Sequence, residues 1–347
     1  MEQLRVDALS PPEIAKRVSE IAKKKSGLDL FRTFTLAILG GAFIALGAEF
    51  FTLVIHDSEL SVGLTKLIGG LVFSLGLILI VLAGAELFTG NALMVIAFIQ
   101  RTINTRDLFR NWVIVYFANL VGALFIVLLM YYTEQWTVNG SMLGGKALLI
   151  ANSKVNLAFH VAFVRAILAN VLVCLAVWLC FGARTTIDKI FAIIFPITAF
   201  VASGFEHCIA NMYFIPLGIW LTGQPSVVAA AEAMSGGSIA LQNLTWYGFI
   251  VKNLVPVTLG NVIGGSLLIG GVYWAIYVRE FSWRGLIGLI QMGFRLIFFI
   301  NPRRSSPGQL GSTLSGFYGV LSRKKRGGRP LPRDLTQLGN QEEKEDK

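Results

Sequence analysis

Six apolar stretches dominate the chain, at about 28–55, 66–100, 109–132, 157–182, 187–220 and 245–278. Runs of this length predict membrane-spanning helices. The second and fifth are too long for one crossing. A continuous helix of that size reaches about 50 Å, against a hydrocarbon core of about 30 Å. Each carries a polar, glycine-containing interruption near its middle, GAELFTGN at 84–91 and GFEHCIAN at 204–211. A charged group at a bilayer centre costs about 2.5–3.5 kcal/mol on insertion scales. Tilt absorbs extra length but does not account for the glutamates, so both helices are expected to be broken inside the membrane.

The interruptions repeat. Both read Gly-x-Glu-x-x-x-x-Asn, and the helices after them also match: Asn111 and NLVG (119–122) pair with Asn253 and NVIG (261–264). This implies two three-span units. An odd number of spans per unit inverts the second relative to the first, an architecture of transporters with a midplane site. The fold expected is all-α, with six spans in two inverted three-helix repeats and the second and fifth helices broken.

A broken helix exposes backbone N–H groups, which are tolerated at this depth only when protein or water satisfies them. Glu86 and Glu206 are expected to accept those bonds. Asn91 and Asn211, the last residues of the two motifs, belong to the same support. The positive ends of two half-helices converge on one point, which suits an anion. His207 sits beside that point, and Thr89 on the other break supplies a hydroxyl. Phe73, Leu77, Leu87 and Phe200 pinch the path on either side. An imidazole can donate a hydrogen bond or a whole proton to a weak-acid anion.

Composition agrees with this pattern. Of 347 residues, 54% are hydrophobic and only 14% charged, too few charges for a soluble domain. Cys174, Cys180 and Cys208 lie in apolar spans without metal spacing, and the three histidines are scattered, so neither metal nor cofactor is expected. The net charge of +10 sits mostly at the two ends. It lacks the aromatic interleaving of a nucleic-acid surface and reads instead as orientation signal and lipid contact. Arg101, Arg106, Arg110, Arg184 and Lys189 share a side with both termini, which places the termini in the cytoplasm of a plasma-membrane protein.

Ser10-Pro11-Pro12-Glu13 opens a helix within 1–27, with Ile14, Val18, Ile21 and Ala22 on one face. It is expected to be a cytoplasmic amphipathic helix at the membrane interface. No short h-region precedes it, so no cleavable signal peptide is expected. The six-span domain covers 28–280. Arg284, Gln291 and Arg295 mark 281–300 as a surface helix, and 301–347 reads as a disordered cytoplasmic tail.

FSLGLILIVLAGAELFTGN, KVNLAFHVAFVRAILANVLVCLAVW and FVASGFEHCIANMYFIPLG resemble the most characteristic segments of the formate–nitrite transporter family, most closely the bacterial formate channels. The resemblance covers about residues 10 to 280. It implies a homopentamer of aquaporin-like protomers, each with its own pore. It makes His207 the central pore histidine and Thr89 its partner. Lys154 becomes an anion-attracting lysine of the outer vestibule, Asn170 a polar residue near the pore, and Phe73, Leu77, Leu87 and Phe200 the constrictions. Gly90 and Asn91 after the threonine leave the substrate open between formate and nitrite. The function expected is a channel or transporter for a small monovalent weak-acid anion, formate first and nitrite as the alternative, with proton transfer or hydrogen bonding at His207. Hydrosulfide and larger carboxylates stay open, as does a neutral-solute channel. A membrane-embedded enzyme is disfavoured, since no catalytic grouping or nucleotide loop appears.

Overall fold

The computed structural model describes residues 8–279, so the surface-helix and tail expectations for 281–300 and 301–347 lie outside the described residues. All regular secondary structure among the described residues is helical. The chain runs α1 (Pro11–Ser26), α2 (Leu30–Ile55), α3 (Val62–Gly84), α4 (Gly90–Ile99), α5 (Thr105–Tyr132), α6 (Met142–Val155), α7 (Phe159–Gly182), α8 (Thr186–Ala202), α9 (Cys208–Leu221), α10 (Pro225–Ser235) and α11 (Gly248–Tyr277).

Five of these, α2, α3, α5, α7 and α11, are long and apolar enough to cross a membrane. Between them, α8 and α9 are apolar but have only 17 and 14 residues, and α9 turns through 111° into α10. Large apolar side chains such as Phe117 on α5 and Phe195 on α8 face outward, 56% and 70% exposed. That is the surface a lipid-facing helix presents. Short polar caps fix where spans begin. Asn104 accepts from the Asp107 N–H at 2.9 Å to start α5, and Thr185 from the Asp188 N–H at 3.1 Å to start α8.

The two expected breaks are present. α3 ends at Gly84 with φ +83°, and α8 is followed by Gly204 with φ +68°. A left-handed residue ends a helix, and glycine adopts it without a Cβ penalty. Extended backbone then carries the chain to α4 and α9. The Ala85 N–H reaches back to Ile80 O at 2.9 Å, and the Phe205 N–H to Phe200 O at 3.2 Å, 120 residues later in each partner.

α1 does begin with the Ser10 N–H donating to the Glu13 carboxylate at 2.9 Å. Its apolar face is not left for the membrane interface, however. Ile14, Ala15 and Val18 pack with Ala92, Leu93, Ile96 and Trp178 in one buried cluster. The protein, rather than lipid, provides that apolar surface. α6 and α10, in segments expected to be loops, pack on each other through Gly145 and Ala231.

Helices approach closely where side chains are absent. A Cβ on Gly122 of α5 would lie 1.9 Å from Ile38 O of α2, and one on Gly264 of α11 would lie 2.2 Å from Ile167 O of α7. Small residues let membrane helices pack backbone to backbone. Gly122→Val is therefore expected to destabilise the protein by about 1–3 kcal/mol or more. Thermal unfolding of the purified variant in detergent checks this, and an unchanged midpoint would refute the close-packing account.

Candidate functional site

Asparagine amides hold both breaks. Asn119 of α5 donates to Ala37 O at 2.6 Å and Glu86 O at 2.9 Å, and its Oδ1 accepts the Phe88 N–H at 3.0 Å. Asn261 of α11 donates to Ala166 O at 2.7 Å and Glu206 O at 3.0 Å, and its Oδ1 accepts the Cys208 N–H at 2.9 Å. Each side chain thus satisfies an orphan donor at the start of the second half-helix and two carbonyls nearby. Left unmade, such bonds cost about 1–3 kcal/mol apiece.

The glutamates do a different job from the one expected. Glu86 and Glu206 accept from side chains, not from half-helix N–H groups. Glu86 meets Lys25 Nζ at 2.9 Å and Asn91 Nδ2 at 2.7 Å. Glu206 meets Lys154 Nζ at 2.9 Å, Asn211 Nδ2 at 2.7 Å and Asn253 Nδ2 at 3.3 Å. The physical reason is charge: a lysine offers a buried carboxylate a full countercharge, which an N–H dipole does not supply. Asn91 also donates to Asn111 at 2.8 Å, and Asn211 to Asn253 at 2.7 Å. Trp112 Nε1–H donates to Asn91 O at 3.0 Å.

Thr89 and His207, 118 positions apart, come together. Thr89 Oγ1 and His207 Nε2 are 2.9 Å apart, and both residues are buried. His207 is also the N-cap of α9, its Nδ1 accepting the Ala210 N–H at 3.1 Å. An acceptor nitrogen carries no proton, so the neutral ring keeps its hydrogen on Nε2, aimed at Thr89.

Two cavities flank this contact. The first, about 330 Å³, is lined by Lys25, Glu86, Asn91, Leu77 and Leu87. The second, about 220 Å³, is lined by Lys154, Glu206, Asn211, His207, Phe73 and Phe200. The expected constriction residues therefore divide two and two between the linings of the two cavities. Phe73 and Phe200 meet edge to face at 5.6 Å, and Phe200 lies 5.8 Å from the His207 ring. Asn170 is not brought into either cavity. It is fully buried, donates to Asn261 O at 2.6 Å and accepts a weak bond from the Cys174 thiol at 3.8 Å. The same thiol also donates to Thr89 O at 3.4 Å, so Asn170 lies between the two breaks' supports.

Sequence reasoning missed Lys25 and gave Asn111, Asn119, Asn253 and Asn261 no task. The asparagines had a legible signal in their matched positions. Lys25 had a fainter one: it precedes Lys154 by 129 positions, the spacing that also separates Ala37 from Ala166 and Ile38 from Ile167.

Comparison with known proteins converges on one family. A family model described as formate/nitrite transporter matches residues 12–275. The formate channel FocA of Escherichia coli is 43% identical over 278 residues, covering 79% of this chain and 96% of the relative. FocA of Haemophilus influenzae is 41% identical over 270 residues, covering 78% and 95%. A solved structure described as a pentameric formate channel with formate bound aligns with TM-score 0.64 and 41% identity, over 72% of this chain and 98% of that one. With paired helix breaks and a buried threonine–histidine contact between two cavities, this chain belongs to the formate/nitrite transporter family.

Proposed function

We propose that the protein is a membrane channel for a small monovalent weak-acid anion, formate first, passing between the two cavities at Thr89 and His207. The single observation that carries this reading is the buried 2.9 Å Thr89–His207 contact, with one cavity lined by His207 and another by Leu87 and Gly90 on either side of Thr89 in the chain. The relatives are named as formate channels, and one solved relative is described with formate bound. Nitrite is the second reading, favoured by the family's own description. Both ions are small and present oxygen acceptors to the same donors.

The chemistry follows from desolvation. A bare anion loses its hydration between Leu77, Leu87, Phe73 and Phe200, and donors placed there replace part of that shell. The Nε2–H of His207 and the Thr89 hydroxyl are such donors. Because Nδ1 is engaged by the Ala210 N–H, giving up the Nε2 proton would leave the ring with none. Hydrogen bonding to the passing anion is thus the mode this geometry supports, rather than delivery of a whole proton.

Glu86, Glu206, Asn91 and Asn211 act as loop supports in this reading, with Lys25 and Lys154 as countercharges. Six spans in two inverted repeats, with α8 and α9 together forming the fifth, give the protomer its aquaporin-like plan. The support is the doubled hydrogen-bond set and one contact in particular. Tyr116 and Thr258, which stand 142 positions apart as Asn119 and Asn261 do, touch at 3.0 Å. Equivalent residues that touch are what a two-fold axis through α5 and α11 requires. The assembly is a homopentamer, by analogy with the pentameric relative. Both termini face the cytoplasm of the plasma membrane, by Lys and Arg placement. Residues 28–280 form the transport domain, with the N-terminal helix covering the cytoplasmic cavity and the Lys154 cavity opening outward.

His207→Phe is expected to lower formate flux in proteoliposomes by about tenfold or more, since a hydrogen bond to a charged group contributes about 1.5–3 kcal/mol. The oligomer should remain intact by size-exclusion chromatography, and wild-type flux in that variant would overturn the pore assignment. Formate, nitrite and hydrosulfide measured side by side decide the preferred ion. Lys25→Ala should strand the Glu86 carboxylate and cost about 3–5 kcal/mol of stability. Combining it with Glu86→Gln should recover much of the loss, and additive melting shifts would argue against the clamp.

A further inference from the structure

The two cavities are not electrically alike. Among the described residues, the charged groups lining the first cavity are Lys25 and Glu86, paired at 2.9 Å. The second is lined by Lys154 and Glu206, paired likewise, and by Arg165. Lys154, expected to attract anions, has its charge answered by Glu206. The uncompensated cation of the second cavity is Arg165.

Arg165 makes no ion pair or hydrogen bond among the described residues, and it is exposed. It is the sole Lys, Arg, Asp or Glu in α7, Phe159–Gly182, a helix long and apolar enough to cross a membrane. Six residues past the start of that helix, it stands about 9 Å inside it. Its repeat counterpart 129 positions earlier is Leu36, which lines the first cavity. The same position of the doubled scaffold therefore carries an apolar side chain on one side of the pore and a guanidinium on the other. An ionisable group inside an apolar span calls for a named partner.

We propose that Arg165 is the anion-capture and specificity residue of the Lys154 cavity, where it holds a small planar carboxylate by both oxygens before the ion moves on to His207 and Thr89. This rests on the anion-channel reading above and adds to it. A guanidinium presents N–H groups in a rigid fork that matches two carboxylate oxygens, whereas an ammonium is a point charge. A free positive charge at the mouth of a low-dielectric cleft also raises the local anion concentration. The Leu36 side lacks such a group, so capture favours the Arg165 side.

The test is formate uptake into proteoliposomes over a concentration series with wild type, Arg165→Gln and Arg165→Lys, after size-exclusion chromatography has verified assembly. Arg165→Gln is expected to raise the half-saturating formate concentration about threefold or more, with maximal flux changed far less. Arg165→Lys should recover part of that loss, because charge returns without the fork. Added salt should shrink the gap between wild type and Arg165→Gln, since the Debye length is about 10 Å at 0.1 M. A wild-type half-saturation value in Arg165→Gln overturns the inference, as does a change confined to thermal stability. If Arg165→Gln does not assemble, Arg165→Lys decides, and unaltered half-saturation there refutes two-oxygen recognition. Absence of formate flux in the wild type would instead defeat the channel reading itself.

Discussion

Everything in this molecule depends on satisfying polar backbone where a helix stops inside an apolar protein. Asn119 and Asn261 do this with one side chain each, closing three bonds at each break. An amide is suited to the task because it donates twice and accepts at its oxygen without carrying charge. The flanking glycines serve the same end. Gly122 and Gly264 follow those asparagines by three positions and let α5 and α11 press against the carbonyls of α2 and α7. Packing and hydrogen bonding are thus one device, used twice.

Charge enters as a second layer on that device. Each break carries a carboxylate, and each carboxylate meets a lysine from the helix preceding the repeat's first span, Lys25 from α1 and Lys154 from α6. The lysines are held differently. Lys25 also reaches Asn91 Oδ1 at 2.8 Å, whereas Asn211 Oδ1 finds no hydrogen-bond partner among the described residues. The two breaks are accordingly matched in their asparagine frame and unequal in what lines the cavities beside them. Leu87 and His207, 120 positions apart, occupy matching places, and only one of them can donate a hydrogen bond.

Much of this was legible in the sequence, and the misses have physical reasons. The two breaks announced themselves because a glutamate in an apolar run demands an explanation, and the matched asparagines exposed the repeat. The Thr89–His207 meeting followed from the two breaks pointing at one place. What the glutamates bind was misjudged: motif spacing says where a carboxylate is, not which cation tertiary packing delivers to it. Lys25 lies in a polar segment that reads as a surface helix, and its apolar face gives no sign of whether lipid or protein will cover it. Asn170 was placed near the pore by resemblance alone; its side chain donates to Asn261 O and shares the Cys174 thiol with Thr89 O, a contact that no motif spacing announces. The helices α6 and α10 were invisible because short segments between spans carry little periodic signal.

The bond from the Ala210 amide to His207 Nδ1 has a consequence for how this pore can evolve. The residue at position 207 initiates a helix and lines the second cavity with the same five-membered ring. A replacement that cannot accept a hydrogen bond loses the cap of α9 together with the contact to Thr89. Turning the ring over would break the bond from the Ala210 amide, so cap and cavity lining rest on a single group. Selection for a new cargo falls more easily on a side chain such as Arg165, exposed and lining the second cavity, than on this doubly engaged ring.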